Sequence, residues 1–143
     1  MENSQFSRIV IDFSFKLKRV ISLSIEREMN LTYPQWRVIK TVWCSGDPIS
    51  SKEIADILCF DKVTISDIVN RLIRKGYLIK EVDKNDRRRN ILNLSEKTQW
   101  LCKDVIRVEK NFNQSLFAGM SHEQIDQYLT TTDMLIKNLN KMK

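Results

Sequence analysis

Glycine, proline and histidine are scarce: the 143 residues include three glycines, two prolines and one histidine. Sandwiches and barrels that turn every few residues use more glycine and proline, so this composition favours a helical fold. The single histidine, His122, leaves little for a histidine-centred catalytic site. There is also no glycine-rich phosphate loop, no G-x-S-x-G and no H-E-x-x-H. We therefore expect neither an enzyme nor a cofactor.

The three cysteines, Cys44, Cys59 and Cys102, are odd in number and far apart. They form neither a disulfide framework nor a zinc-ligand spacing, so we expect no metal site. We predict that they are small buried hydrophobic residues. Oxidation of Cys59, close to a turn between two helices, is a hypothesis for a redox effect.

Long hydrophobic runs are absent too. No stretch approaches the roughly 18 apolar residues of a membrane span. Residues 1–5 lack the basic run and apolar stretch of a signal peptide. We expect a protein of the reducing cytoplasm with no membrane partner.

The length of 143 residues predicts a single domain, residues 1–143. The net charge is +6, which favours a polyanionic partner. The charge is not concentrated, however, because residues 49–94 hold ten basic and seven acidic residues. Charge alone therefore does not locate a binding surface.

Hydrophobic spacing and capping residues predict a mainly α-helical fold with a small β-hairpin. Capping boxes begin helices at Thr32, Ser50 and Ser121, and Asp61 caps another. Gly76 stands where a helix C-terminus favours a left-handed residue. The predicted elements are helices 5–29, 33–44, 51–58 and 62–75, strands 77–82 and 90–94 around a polar turn, and helices 96–118 and 122–142.

Residues 49–94 predict a winged helix-turn-helix. Two helices are joined by the short connection 59–61 and are followed at once by a hairpin with a basic tip. The major groove of B-DNA admits one α-helix, and its narrow minor groove attracts guanidinium groups. Each pattern alone is typical of a solvated surface, and it is their adjacency that favours DNA binding.

The candidate DNA contacts lie on the second of these helices and on the hairpin. The helix has small, polar or cationic residues on the side opposite its apolar face. These residues are Lys62, Val63, Thr64, Ser66, Asp67, Asn70 and Arg74. The hairpin supplies Lys84, Arg87, Arg88 and Arg89.

Several motifs make the chain resemble MarR-family transcription regulators, and most closely a SlyA-like subgroup. Residues 31–39, LTYPQWRVI, resemble the family's LTxxQWRVL helix. Residues 69–78 resemble its xxRLExKGLI segment, and residues 83–89 resemble its DxxDRR wing. The resemblance covers about residues 5–140, including the order of the helices.

The resemblance implies a homodimeric regulator with a winged helix-turn-helix flanked by N- and C-terminal dimerisation helices. Helices 5–29 and 96–142 would pair with those of a second copy, and region 33–94 would bind half of a pseudo-palindromic double-stranded DNA operator. Ser50 and Ser51 would lie near the phosphate backbone, and Arg87 would enter the minor groove. Asp86 and Arg88 would shape the wing through a carboxylate–guanidinium contact. The residues that would face bases are Lys62, Thr64, Ser66 and Asp67.

Two positions depart from the family pattern. Asp67 stands where a basic or neutral polar residue is common, and an aspartate facing the groove is repelled by phosphate. It can accept a hydrogen bond from cytosine N4 or pair with Arg71 at i+4. Thr98 replaces the usual glycine near the start of the helix that follows the wing.

The resemblance also implies a possible effector, a small aromatic anion bound between the dimerisation helices and the DNA-binding region. Candidate residues for it are Phe13, Lys16, Trp36, Arg37 and Trp43. Other family members sense oxidants through a cysteine near the N-terminal helix, but residues 1–43 contain none.

Two alternatives stay open at this stage. A winged-helix module can bind another protein instead of DNA, with Asp67 in its favour and the arginine-rich wing against it. An architectural module would bind DNA without operator preference and with steep salt dependence. The choice between repression and activation also stays open.

Overall fold

The computed structural model describes residues 3–142, with side chains from Gln5 onward. Within that range the chain is mainly helical with one antiparallel hairpin, which confirms the predicted fold class. The elements are α1 (Asn3–Met29), α2 (Tyr33–Cys44), α3 (Ser51–Leu58), α4 (Lys62–Arg74), β1 (Leu78–Val82), β2 (Asn90–Leu94), α5 (Glu96–Leu116) and α6 (His122–Lys141).

The chain divides into two compact units, Met1–Lys103 and Asp104–Lys143. The first unit holds α1 to β2 and the beginning of α5, and the second holds the rest of α5 and α6. A single domain over 1–143 stays a prediction. Across residues 3–142, no helix is long and apolar enough to cross a membrane.

The first unit has its core around α2. The Gln35 N–H donates to Thr32 Oγ1 at 3.4 Å, and the Thr32 N–H donates to Gln35 Oε1 at 3.0 Å. This capping box satisfies two donors that the first turn of a helix would otherwise leave unpaired. The apolar side of α2 is buried through Trp36, Val38, Ile39 and Val42.

A sharp change of direction separates α3 from α4. Cys59 has a φ of 55°, in the left-handed region, and ends α3. The Phe60 N–H then bonds back to the Ala55 carbonyl at 3.1 Å, and Asp61 caps α4. Both helices bury one side, which leaves the outer side of α4 in solvent. The buried residues are Ile54, Ala55 and Leu58 of α3 and Ile65, Val69 and Leu72 of α4.

The hairpin is fastened to the helix-turn-helix by a bridge that the sequence pattern did not predict. Strand β1 pairs with β2 from Leu78 opposite Leu94 to Val82 opposite Asn90. Ile49, just before α3, forms an isolated antiparallel bridge with Leu92, whose N–H donates to the Ile49 carbonyl at 2.8 Å. The start of α3 and the wing are therefore joined through the backbone.

Thr98 joins the end of the hairpin to the start of α5. It is fully buried, and its hydroxyl lies 2.8 Å from both the Tyr77 carbonyl and Ser95 Oγ. Lys97 adds a contact from its ammonium group to the Lys75 carbonyl at 2.8 Å. A glycine at position 98 would lack this hydroxyl, so the departure from the family pattern adds a hydrogen bond here.

Two sequence predictions need correction. α5 ends at Leu116 and not at Ala118, although both positions precede the turn at Gly119. Of the three cysteines only Cys102 is buried, whereas Cys44 and Cys59 are exposed. The exposed pair lie at helix C-termini, where the chain leaves the core.

Candidate nucleic-acid interface

The outer face of α4 presents the residues that the sequence predicted as DNA contacts. With about 100° between successive residues, the exposed positions lie away from buried Ile65 and Leu72. An exposed helix face of this kind suits the major groove. The predicted contacts on this helix are all exposed: Lys62, Val63, Thr64, Ser66, Asp67, Asn70 and Arg74.

The first turn of α4 is capped by Asp61. The Thr64 N–H donates to Asp61 Oδ1 at 2.8 Å, and the Thr64 hydroxyl donates to Oδ2 at 2.5 Å. These two donors, the hydroxyl first, hold the pKa of Asp61 below its usual value. Because the hydroxyl proton of Thr64 is engaged, this residue offers an approaching base its oxygen lone pairs as acceptors.

Asp67 does not form the i+4 pair that the sequence left open. Both Asp67 and Arg71 are exposed, and within residues 3–142 no ion pair joins them. The outer face of α4 therefore carries a free carboxylate between its cations.

The start of α3 is a densely hydrogen-bonded corner. The Ser50 hydroxyl and N–H both donate to Glu53 Oε2, at 2.7 and 2.8 Å, and the Glu53 N–H donates to Ser50 Oγ at 3.3 Å. Ser50 and Ser51 are half-buried. The hydroxyl of Ser50 therefore serves the cap, and the group that this corner can offer a phosphate is the N-terminal backbone of α3.

The tip of the hairpin bears exposed cations, and we call Lys84, Arg87 and Arg88 the wing tip. Asp86 shapes the turn, because its Oδ1 accepts from the Arg88 backbone N–H at 3.0 Å and its carbonyl accepts from the Arg89 N–H at 2.9 Å. The predicted contact between the Asp86 carboxylate and the Arg88 guanidinium is therefore wrong, because the group of Arg88 that donates is its backbone N–H. An aspartate carboxylate can accept a hydrogen bond from the backbone N–H two residues later, and this bond closes a local turn.

Arg89 differs from the wing tip because its guanidinium is held against the protein. Nη1 donates to Asp83 Oδ2 at 3.0 Å, and Nη2 donates to Glu53 Oε2 at 2.6 Å and to the Pro48 carbonyl at 3.2 Å. We call Glu53, Asp83 and Arg89 the wing root. Three of the five guanidinium N–H donors of Arg89 are thus used within the protein, which gives this residue a structural role, and its contact with DNA stays a prediction.

The charges of the wing root stabilise one another. Hydrogen bonds from Ser50 first and from Arg89 second lower the pKa of Glu53 to about 2. The pKa of Asp83 is also lowered, chiefly by the Asn85 N–H that donates to Oδ1 at 2.9 Å. The paired anions in turn raise the pKa of Arg89, with Glu53 as the main cause.

Sequence reasoning placed Asp83 in the wing but missed its ion pair with Arg89, and it missed Glu53 as a partner of the wing. Asp83 and Arg89 flank the same turn, so an ion pair across it was open to inference from spacing. Glu53 lies 36 positions before Arg89, and the capping box with Ser50 already explains why a glutamate stands at position 53. No local sequence pattern indicates its contact with Arg89.

A crevice in the first unit lies between α1 and α2, with a volume of about 320 Å³. Arg37 lies over the ring of Phe60, with its guanidinium carbon 5.8 Å from the ring centre. This combination of aromatic surface and cation fits a small aromatic anion. The lining residues are Ser14, Leu17, Lys18, Ile21, Tyr33, Pro34, Arg37 and Phe60.

Of the five residues predicted to bind an effector, only Arg37 lines this crevice. Trp36 is buried in the core and Trp43 is half-buried, while Phe13 and Lys16 are exposed elsewhere on their helix. The α1 face at the crevice runs through positions 14, 17, 18 and 21, so Lys18 and not Lys16 is the α1 cation that lines it. Binding of an effector by any of these residues stays a prediction. In the part of the chain from Asn3 to Met142, no cluster of three histidine, cysteine or acidic side chains is placed to hold a metal ion.

Comparison with known proteins places this geometry in context. Residues 31–89 match the family model described as the MarR family. The Staphylococcus aureus HTH-type transcriptional regulator MgrA is 26% identical over 84 residues, which cover 59% of this chain. The match spans only 56% of the length of MgrA.

Solved structures share the fold over almost the whole chain. A MarR/EmrR family transcriptional regulator from Acinetobacter sp. ADP1 has a TM-score of 0.83 at 21% identity, covering 99% of each chain. The S. aureus MepR–DNA complex has a TM-score of 0.82 at 19% identity, covering 97% of this chain and 99% of MepR. MgrA and the Acinetobacter protein are both described as transcriptional regulators. Residues 31–89 are therefore similar to the MarR family, and the chain has the winged helix-turn-helix fold of these solved structures.

Proposed function

We propose that the protein is a homodimeric regulator of transcription that binds a pseudo-palindromic DNA operator. The observation that carries the proposal is the contrast within one unit between an anchored wing root and a free, cationic wing tip, next to the exposed face of α4. A wing held in place by its root presents its tip cations without first having to be ordered, which lowers the entropic cost of binding.

Helix α4 is proposed as the element that enters the major groove. Its exposed face combines hydrogen-bonding groups for base edges with Lys62 near the start and Arg74 at the end for phosphates. Ser50 and Ser51, at the start of α3, are proposed to lie along the phosphate backbone. The MepR structure, which contains DNA, supports this use of the fold by analogy.

The wing tip is proposed to enter the minor groove through Arg87. Lys84 and Arg88 would then contact the flanking phosphates. The negative potential of a narrow minor groove attracts a guanidinium more strongly than an open surface does. Arg87 is exposed and forms no ion pair with any residue of the described chain, so its charge is available.

The dimer is proposed to form through α1, α5 and α6. No residue of α6 is buried within the described chain, although the helix keeps an apolar stripe. Leu129, Leu135, Ile136 and Leu139 of that stripe are all exposed. On α1, Phe6, Ile9, Val10 and Phe13 are exposed as well. Exposed apolar helices of this length favour burial against a second copy.

The dimer has a direct test in Leu135→Asp, which would place a charge on the apolar stripe of α6. We expect the wild type to sediment as a dimer and Leu135→Asp as a monomer at micromolar concentration. Asp126→Asn, on a polar part of the same helix, is the control. A dimeric Leu135→Asp protein would contradict the use of α6.

The crevice at Arg37 is proposed as the site of a small aromatic anion that releases DNA. Benzoate is a suitable probe, followed by isothermal titration calorimetry. Arg37→Ala should remove binding, whereas Lys16→Ala, outside the crevice, should leave it unchanged. Equal binding by both variants would contradict this site.

The SlyA-like subgroup remains part of the proposal and rests on the motifs at 31–39 and 83–89. A cytoplasmic location follows if the protein acts on bacterial-type chromosomal DNA, and it belongs to the same proposal. The direction of regulation, repression or activation, depends on where the operator lies.

Selection of bound fragments from random DNA, at roughly physiological salt, tests the main proposal. We expect one pseudo-palindrome with half-sites about one helical turn apart. Recovery of DNA without a shared sequence would favour an architectural module. Failure to retain DNA at low salt would favour a protein-interaction module.

A further inference from the structure

The outer face of α4 places an apolar side chain beside an acidic one. Val63 is 72% exposed, and among the large hydrophobic residues of the described chain only Met142 is more exposed. A single exposed valine is ordinary on a protein surface. Here its position matters, because it lies on the first turn of α4, opposite buried Ile65 and Leu72.

Asp67 follows one helical turn later on the same face. Residues four apart in a helix have Cβ atoms about 5–6 Å apart, so Val63 and Asp67 are neighbours. Among residues 3–142 no hydrogen bond or ion pair engages the Asp67 carboxylate. An unpaired anion on a face turned toward polyphosphate reduces affinity for every sequence that does not offer it a donor.

We propose that Val63 and Asp67 read two specific bases of the operator half-site, a thymine and a cytosine. This inference rests on the proposed function and deepens it, because it names the bases that α4 recognises. The two side chains act in different ways, one through an apolar contact and the other through a hydrogen bond combined with repulsion.

Val63 is suited to thymine because thymine alone carries a methyl group on its major-groove edge. A valine has no donor or acceptor with which to distinguish the other bases. Contact with its two methyl groups removes the thymine methyl from water. This burial favours binding by about 0.8 kcal/mol for each buried carbon group, which increases affinity roughly fourfold. A dimer that makes this contact in both half-sites would gain roughly fifteenfold.

Asp67 is suited to cytosine because an ionised carboxylate only accepts hydrogen bonds. In the major groove, guanine presents the acceptors N7 and O6, and thymine presents the acceptor O4. Adenine offers its N6 donor beside the acceptor N7, whereas cytosine offers N4 without an acceptor next to it. Cytosine is therefore the base at which the carboxylate gains a donor and meets least repulsion.

The spacing of the two residues limits where these bases lie. Four residues of helix advance about 6 Å, which is close to two base-pair steps of about 3.4 Å each. We expect the thymine and the cytosine within about two base-pair steps of each other in each half-site.

The first arm of the test uses the full-length protein and the operator obtained by selection from random DNA. Each half-site thymine is replaced in turn by deoxyuridine, which removes only the methyl group, and affinity is measured by fluorescence anisotropy. We expect one symmetric pair of replacements to weaken the wild type roughly fifteenfold. Val63→Ala should bind the thymine and deoxyuridine duplexes within twofold of each other.

The second arm repeats the selection with Asp67→Asn and with Asp126→Asn as the matched control. We expect the wild type and the control to prefer cytosine at one position by roughly fivefold, the lower end of the range for a bidentate base contact, because N4 is the one donor of cytosine in the major groove. Asp67→Asn should lose that preference and bind unrelated DNA more tightly, because the repelling charge is gone. If Asp67 only stabilised α4, its substitution would reduce affinity for all DNA sequences alike. The thermal unfolding of each variant is therefore measured as well.

The outcomes separate the two levels of the proposal. No operator from the wild type overturns the proposed function and this inference with it. An operator insensitive to every deoxyuridine replacement, or selected unchanged by both Val63→Ala and Asp67→Asn, overturns this inference and leaves the proposed function standing. Loss of thymine and cytosine preference in the respective variants supports it.

Discussion

Arg88 and Arg89 are adjacent in the sequence, but the structure places them in two different regions of the wing. Arg88 belongs to the wing tip, where the side chains of three cations are exposed. Arg89 belongs to the wing root, where its guanidinium contacts Asp83, Glu53 and the Pro48 carbonyl. The exposed fraction of the Arg89 side chain is 34%, and that of Asp83 is 12%.

The difference shows that a run of like charges is not one functional unit. The tip contributes charge to a partner, and the root uses charge to fix where the tip stands. The Asp83 N–H also bonds to the Arg89 carbonyl at 2.8 Å, so backbone and side chains close the same base of the turn. Substitutions in the two regions should therefore have effects of different kinds, and not only of different sizes.

The largest effect is expected for Arg87→Ala at the tip. A groove contact of this type contributes about 1–3 kcal/mol to specific binding, and the thermal unfolding of the protein should not change. Fluorescence anisotropy with the selected operator measures the affinity, and circular dichroism measures the unfolding. Unchanged affinity would mean that Arg87 does not contact DNA, and it would contradict the role of the wing tip in this comparison.

Local sequence signals were sufficient for most of the fold. Thr32, Ser50 and Ser121 each begin a helix with the predicted capping box, because the hydrogen bonds involved span only three residues. The hairpin strands were recognisable because β-branched and apolar residues stand on both sides of a polar turn. Both kinds of signal are local, so neither depends on knowing the rest of the structure.

Contacts between distant segments could not be predicted in this way. The Ile49–Leu92 bridge and the Glu53–Arg89 ion pair join segments about 40 residues apart, and neither changes the local pattern. The α1 residues predicted to bind an effector do not line the crevice that the structure shows, because that helix is apolar over a wide arc. Such an arc does not reveal which side of the helix meets α2. The exposed face of α4, by contrast, followed directly from the position of its buried residues.

The second effect in size is expected for Arg89→Ala at the root. The wing would then have to be ordered on binding, which costs about 0.5–1.5 kcal/mol for each immobilised side chain, or roughly twofold to tenfold in affinity. All sequences should be affected alike, and amide hydrogen exchange at residues 83–89 should become faster. Arg89→Lys keeps the charge but lacks the two separate nitrogens that reach Asp83 and Glu53, so it should resemble Arg89→Ala. A wild-type exchange pattern in both variants would mean that the root does not hold the wing.

A smaller effect is expected for Lys84→Ala at the tip. If Lys84 contacts one phosphate, the slope of log affinity against log salt should fall in magnitude by about 0.9 for each protein chain bound. The preferred sequence should stay the same. Lys80→Ala, which removes a cation from β1 outside the turn, is the matched control. An altered base preference in Lys84→Ala would make this residue a reader and not a phosphate contact.

The smallest effect concerns the charge of Glu53 at the root, and it is expected to change with pH. The pKa of Glu53 is about 2 in the folded protein, below the ordinary value of 4.5, because Ser50 and Arg89 donate to the carboxylate. A lowered carboxyl pKa stabilises the folded state above the unfolded pKa, and this stabilisation disappears as the pH falls toward the folded pKa. The window is therefore from about pH 4.5 to about pH 2.

Glu53→Gln isolates that contribution, because glutamine also completes a capping box with Ser50 but removes one of the two carboxylates that contact Arg89. The wild type should exceed Glu53→Gln in free energy of unfolding by about 1 kcal/mol or less above pH 5, since an ion pair this exposed is screened by solvent. The side chain of Glu53 is 47% exposed. Denaturant unfolding at successive pH values should show the difference shrinking across the window, and 0.5 M NaCl should reduce it at neutral pH. A difference that is the same at pH 6 and at pH 2.5 would mean that Glu53 acts through the cap alone, and that the wing root depends on Asp83 for its anion.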